Sequence, residues 1–488
     1  MKILAKGSYH LFQFRENNYL FNVSSNAVIK IDALAKNVLT LYFEGISFDT
    51  IRERLFPKYS MDVLSTVFEE IQLLIQCGFF KSSPVTSDSE NKNYVEKLIR
   101  MSTNKIELSL SEACNLRCKY CYIDGNDSLN KGIMHKEIAK QSIDFAFRRA
   151  GKSREIYITF FGGEPLLNKR VLRYVIYYSQ QLAVEQGKRV HYLLTTNATL
   201  LDDEIISYIK QYNFSLMISM DGQREIHDKM RPFSNGKGSF DVIAQNIRNL
   251  MQHRRSLTVR CTLTNQNLDR IGIVDYLENF GFSRIVISRC ISSKSNQFKL
   301  YDIGPDENAV LREQDDYFLD RLLEQLKKGE KIRFNPWSSA IKTIHEKKST
   351  KISCGVGHGC TTVGIDGKLY PCHRYVGMDN YVLGDVHVGI NQKKFSDYLN
   401  SYLENKKKCE TCWARNLCKE YCPWHLSNED GTFQSPQDWY CEDILNWYEK
   451  GIWLYDMLKS HYPNYFYQIV GNNRDEINTL TTLKEGNK

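Results

Sequence analysis

Residues 105–122 read KIELSLSEACNLRCKYCY. Apolar residues at 106, 108 and 110 alternate with polar ones, which predicts a strand over 106–110. The strand runs straight into a loop carrying Cys114, Cys118 and Cys121, spaced C-x3-C-x2-C. Three thiolates on one short loop can hold three irons of a 4Fe-4S cube and leave the fourth iron open to an outside ligand, whereas a structural zinc site closes with four ligands. On spacing alone, a cluster and a zinc site both remain open.

Outward from this stretch, strand-like runs at 106–110, 156–161, 190–194, 214–219, 257–263 and 284–288 alternate with helical ones. That spacing predicts parallel βα units, six rather than eight, closing partway into a barrel. Barrel enzymes assemble their sites at the C-terminal ends of the strands. At or just beyond those ends stand Gly162-Gly163-Glu164-Pro165, Thr195-Thr196-Asn197, Ser219-Met220-Asp221-Gly222 and His227-Asp228-Lys229-Met230-Arg231-Pro232. Together with the cysteine triad and Tyr120 before its last member, these motifs resemble the radical S-adenosylmethionine (SAM) superfamily. The resemblance implies SAM chelating the open iron, with Gly162, Gly163 and Glu164 meeting its ammonium. It makes Asn197 and Ser219 candidates for the ribose or carboxylate, Arg231 a charge partner of the carboxylate, and Tyr120 a neighbour of the adenine. Glycine at 162 and 163 lets the backbone come close.

A second set of cysteines follows: Cys354-x12-Gly367-x4-Cys372, then Cys409, Cys412, Cys418 and Cys422 as C-x2-C-x5-C-x3-C, and finally Cys441. This pattern resembles the SPASM extension of radical SAM enzymes, which implies two auxiliary 4Fe-4S clusters beside the SAM-binding one. By that analogy Cys354, Cys360, Cys372 and Cys422 hold the first, and Cys409, Cys412, Cys418 and Cys441 the second. Zinc ribbons are the alternative. Cys77, Cys261 and Cys290 are left over and read as packing residues. Auxiliary clusters suit a reaction that takes two electrons from its substrate. Sulfatase-maturating relatives carry an Asp directly after the Gly-x4-Cys cysteine; here the place is taken by His373, a weak candidate base.

The N-terminal segment predicts strands over 9–14, 19–23 and 28–31, parted by turn residues, and helices over 34–42, 48–55 and 61–75. It resembles the PqqD-like element of peptide maturases, and Tyr19 to Val28 with Ile31-Asp32 are similar to its hairpin in thioether-forming members. Such an element binds a leader peptide as an added strand. A DNA-binding winged helix has the same outline, but residues 61–75 are acidic and apolar rather than basic.

Length and composition set the frame. A chain of 488 residues with 42% hydrophobic and 25% charged residues suits roughly three folded units, neither disordered nor coiled-coil. The expected divisions are a recognition element at 1–82, a linker at 83–104, a partial (β/α)6 barrel at 105–300, a helical bridge at 301–352, a SPASM module at 353–445 and a terminal helix and tail at 446–488. A net charge of +8 does not by itself imply nucleic acid. Residues 1–21 lack the apolar run of a secretion signal, no membrane span is evident, and fourteen clustered cysteines suit a reducing cytoplasm.

The expectation is therefore a maturase that joins Cys sulfur to carbon in a ribosomally made, Cys-rich precursor, by hydrogen abstraction with a 5'-deoxyadenosyl radical. Its partners would be the leader-bearing peptide and an electron donor such as flavodoxin or ferredoxin, with no nucleic acid and no membrane. Rival readings are a carbon-carbon or carbon-oxygen link, epimerisation, sulfatase-type oxidation, or a non-catalytic iron-sulfur binding protein.

Overall fold

The computed structural model describes residues 7–80, 88–123, 132–254, 256–290, 299–347, 352, 354–418 and 422–471. Three N-terminal strands, β1 (Tyr9–Phe14), β2 (Asn17–Asn22) and β3 (Ala27–Ile31), form an antiparallel sheet with β2 in the middle. Six parallel strands follow: β4 (Lys105–Ser111), β5 (Glu155–Gly162), β6 (Arg189–Thr196), β7 (Ser215–Ser219), β8 (Thr258–Leu263) and β9 (Arg284–Arg289). They pair in chain order, so the expected six-strand partial barrel is present and β9 is left as its edge.

The barrel sheet does not stop at β4. On its other side lies β10 (Thr361–Val363), parallel to it, followed by β11 (Lys368–Tyr370), β12 (Gly384–Asp385) and β13 (Gly389–Ile390), all antiparallel. The cysteine-rich segment thus continues the catalytic sheet. β4 is buried along nearly its whole length, while β5 alternates between buried and partly exposed residues.

The N-terminal sheet uses both faces. Leu20 packs with Leu34, Val38, Ile51, Leu64 and Phe68 of the helices Ala33–Phe43, Phe48–Leu55 and Met61–Gln76. Its neighbours Tyr19 and Phe21 point the other way, as the period of two requires, and join the main core. Helix starts are capped: Asp32 accepts from the Ala35 amide at 2.7 Å and Ser47 from the Thr50 amide at 3.2 Å. Across the sheet, Phe14 packs edge-on to Trp453, Tyr19 donates to Asp456 at 3.0 Å, and His10 stacks on Trp413 at 3.9 Å.

Two expected boundaries differ. Most of the stretch read as linker is the helix Asp88–Arg100, whose Val95 and Leu98 are buried and which packs on the helix Gln392–Glu404. The polar run at 82–93 conceals an apolar face that begins only at 94. The terminal helix is Asp438–His461 rather than 443–458; it crosses the expected boundary at 445 and carries Cys441 in its first turn. The bridge contains the helices Pro305–Lys327 and Ser338–Glu346. Among the described residues no helix is long and apolar enough to cross a membrane.

Candidate active site

The loop after β4 brings Cys114, Cys118 and Cys121 to the wall of one cavity of about 160 Å3 at the barrel rim. Two backbone bonds pin this loop to the segment after β7: the Arg117 amide donates to the Pro232 carbonyl at 2.7 Å and the Lys119 amide to the Met230 carbonyl at 2.9 Å. Tyr120 donates to Asp221, which also holds the Arg231 guanidinium at 2.9 Å, and Arg231 lies over the Tyr120 ring at 5.3 Å. The charge of Arg231 is thereby balanced within the chain.

Gly162 and Gly163 close the opposite wall. Gly162 has φ +129°, and a Cβ there would lie 2.2 Å from the Ser111 carbonyl oxygen; one on Gly163 would lie 2.3 Å from that of Ala113. Only glycine permits this approach, which lets the Gly163 and Glu164 amides bond back to Ser111 and Ala113. The Glu164 carboxylate is fully buried and accepts from the Leu166 amide, the Asn197 amide and the Thr196 hydroxyl. Burial nevertheless pushes it up to about 7 against those bonds.

Asn197 lines the same cavity. Its amide group donates to Asn115 at 3.0 Å and accepts from Thr199, so it braces the cysteine loop with the side chain expected to meet SAM. Ser219 lines the cavity, as do Tyr120, Gly162, Gly163 and Arg231. His373 also reaches this cavity. Its ring stacks on Phe161 at 4.2 Å, and Nδ1 lies 3.0 Å from a Glu107 carboxylate oxygen that also accepts from Thr362 at 2.9 Å. Burial alone would raise Glu107; the charge and bond of His373 outweigh it and hold the carboxyl low.

The thiols fit iron-sulfur ligation. Burial pushes Cys118 up to about 12, opposed by Arg231 and reinforced by Cys121, and drives Cys114 higher still. Neighbouring buried thiols of this kind become thiolates when a shared cation holds them. Cys354 and Cys372 each feel Cys422, and Cys360 feels Cys354; Cys409 and Cys412 both feel Cys441. The Tyr402 hydroxyl senses Cys354, Cys422, Cys418 and Cys409, so the two groups adjoin. These neighbourhoods are compatible with the two ligand sets that the SPASM resemblance implies. Among the described residues, no three ligating side chains converge as a single ion requires.

A sequence model described as the Radical SAM superfamily matches residues 108–277, the stretch that forms this rim. An uncharacterized protein of Methanocaldococcus jannaschii is 30% identical over 312 residues, which is 64% of this chain and 94% of that protein. The chain belongs to the radical SAM superfamily. This radical SAM chain is also 27% identical over 369 residues to a cysteine-type anaerobic sulfatase-maturating enzyme of Clostridium novyi, spanning 70% of this chain and 93% of the relative. In fold it is similar to the solved structure of anSMEcpe with bound AdoMet, with TM-score 0.63 and 20% identity over 75% of this chain and 98% of the other.

Sequence reading missed Glu107, Tyr122 and Arg260, and assigned no role to Asp221. A carboxylate within the otherwise apolar strand IELSL is the signal that marks Glu107. The other three are identified by which residues the strand register brings together.

Proposed function

We propose that this chain is a maturase that installs Cys-sulfur-to-carbon thioether bonds in a ribosomally synthesised, Cys-rich precursor peptide. The observation that carries the reading is the N-terminal sheet: one face is committed to the main core, and β3 is left as an edge. A sheet edge offers main-chain pairing to an extended leader of varied sequence. The sulfatase-maturating relative supports a protein or peptide substrate.

The residues that would hold the groups are Cys114, Cys118 and Cys121 for the SAM-binding cluster, with Gly162, Gly163, Glu164 and Ser219 around SAM, and the two quartets for auxiliary clusters. When bound, SAM supplies a hydrogen-abstracting radical and the auxiliary clusters supply an acceptor for the second electron. The chain's own part is positioning. Asn197 and Arg231 fix the cysteine loop, and the two glycines let the Gly-Gly-Glu turn close against it. His373, oriented by Glu107, lines the cavity beside Cys372, and in its neutral form it is the proposed acceptor of the proton that substrate releases there.

Each link removes one C–H and one S–H hydrogen and forms one C–S bond. Mass spectrometry of a candidate Cys-rich precursor after coexpression should therefore show two hydrogens lost per link, with the joined Cys refractory to alkylation. Sulfatase-type oxidation is the second reading, favoured by the relative; it would leave an aldehyde that reacts with hydrazides. The presence of His373 at the position of the expected Asp argues against it.

A further inference from the structure

Interior cations of this protein are generally matched by carboxylates. Arg270 pairs with Asp315 at 2.6 Å, Arg289 with Asp443 at 2.7 Å and Lys450 with Asp316 at 2.9 Å. Arg260 departs from this pattern. It stands on β8 in register with Ser219 of β7, and it lines both the rim cavity and a larger cavity of about 1230 Å3 that reaches Cys372 and Cys422. Its side chain makes no ion pair or hydrogen bond among the described residues. Desolvation, with repulsion from the guanidinium groups of Arg374 and Arg231, lowers its affinity for its own proton. Tyr122 lies in the same group. Its hydroxyl is buried without a hydrogen-bond partner, and Arg374 sits over its ring at 4.7 Å.

A partly buried guanidinium among like charges, beside an unsatisfied hydroxyl donor, is an arrangement that an anion would complete. A carboxylate is the complementary group, since its two oxygens match the planar fork of arginine and leave a lone pair for the phenol. We propose that Arg260 and Tyr122 form a carboxylate subsite that seats an acidic side chain of the substrate peptide beside the SAM-binding rim. This rests on the peptide-maturase reading and deepens it by naming a substrate feature. Beyond the rim cavity, Arg260 shares the larger cavity with Cys372, Arg374 and Cys422 of the second cysteine region. The larger cavity gives a peptide room to reach it.

The alternative source of a carboxylate is SAM itself, and the test separates the two. Two pools of short fluorescein-labelled peptides, degenerate except for a central Asp in one and Asn in the other, are titrated by anisotropy against reconstituted, SAM-loaded enzyme at physiological ionic strength. The Asp pool should bind about tenfold tighter or more, the value of a charged hydrogen bond. R260Q should abolish the preference and R260K should restore part of it, with thermal melts confirming that both fold. Equal binding of the pools to wild type, or a preference that survives R260Q, overturns the proposal. So does equilibrium dialysis in which R260Q loses SAM affinity by a similar factor, since the guanidinium would then serve the cofactor. A wild type that prefers Asp yet yields no cross-linked precursor keeps the subsite and rejects the thioether reading. Cross-linking without an Asp preference does the reverse.

Discussion

Gly162 shows how much of the site rests on single residues. With φ +129° and a carbonyl 2.2 Å from where a Cβ would stand, Gly162→Ala cannot relax without opening the turn that joins the Gly-Gly-Glu loop to the cysteine loop. It should cost more than about 1 kcal/mol in urea unfolding and weaken SAM binding in equilibrium dialysis. Asp221 neutralises Arg231 and receives Tyr120, so Asp221→Asn leaves a buried cation unpaired and should cost about 3–5 kcal/mol. His227 is buried and neutral, its pKa lowered to about 4 chiefly by burial. The unfolded chain binds a proton there below about pH 6.5, so its contribution is intact above that pH and is lost as pH falls toward 4. Urea melts from pH 7 to 4 should lose up to roughly 3 kcal/mol through this group, and His227→Gln should flatten that window. The cysteines and glycines were legible because spacing and residue type alone define their chemistry. The roles of Glu107, Asp221 and Arg260 were not, because a charge's partner depends on which strands lie side by side.

At the scale of elements, the strand alternation was readable to within a few residues and the parallel order followed from it. The continuation of the sheet through β10 to β13 was hidden, since strands of two or three residues carry no period to detect. The helix Asp88–Arg100 was hidden by its polar first turns. The edge strand β3 yields the prediction that belongs here. Proline at Ile29 removes a backbone donor and distorts the edge, so Ile29→Pro should lower leader affinity about tenfold or more by anisotropy while melting within a few degrees of wild type. Unchanged affinity would place leader recognition elsewhere. Deleting the whole segment is a poorer probe than the chain's modular reading suggests, because Phe12, Tyr19, Phe21 and Val23 belong to the main core and removing them would strip it.

Across the whole molecule, the second cysteine region and the N-terminal sheet are joined directly. Arg415 donates to the Gly7 carbonyl, Asn416 to the Val23 carbonyl, and Trp413 stacks on His10, all from the loop between Cys412 and Cys418. Cys412→Ala should therefore do two things: lower the iron content, and make the N-terminal sheet the first target of limited proteolysis. Full protection in that variant would show that the loop holds its shape without its thiolates. Anaerobic reconstitution of wild type should give about twelve irons per chain, the content of three cubes. The central claim is that the cysteine triad on the β4 loop drives SAM cleavage. Its most direct test is the release of 5'-deoxyadenosine by reduced, reconstituted wild type and by a C114A/C118A/C121A variant that still folds. Steady release is expected from the wild type and none from the variant. Release from the variant at the wild-type rate would contradict it.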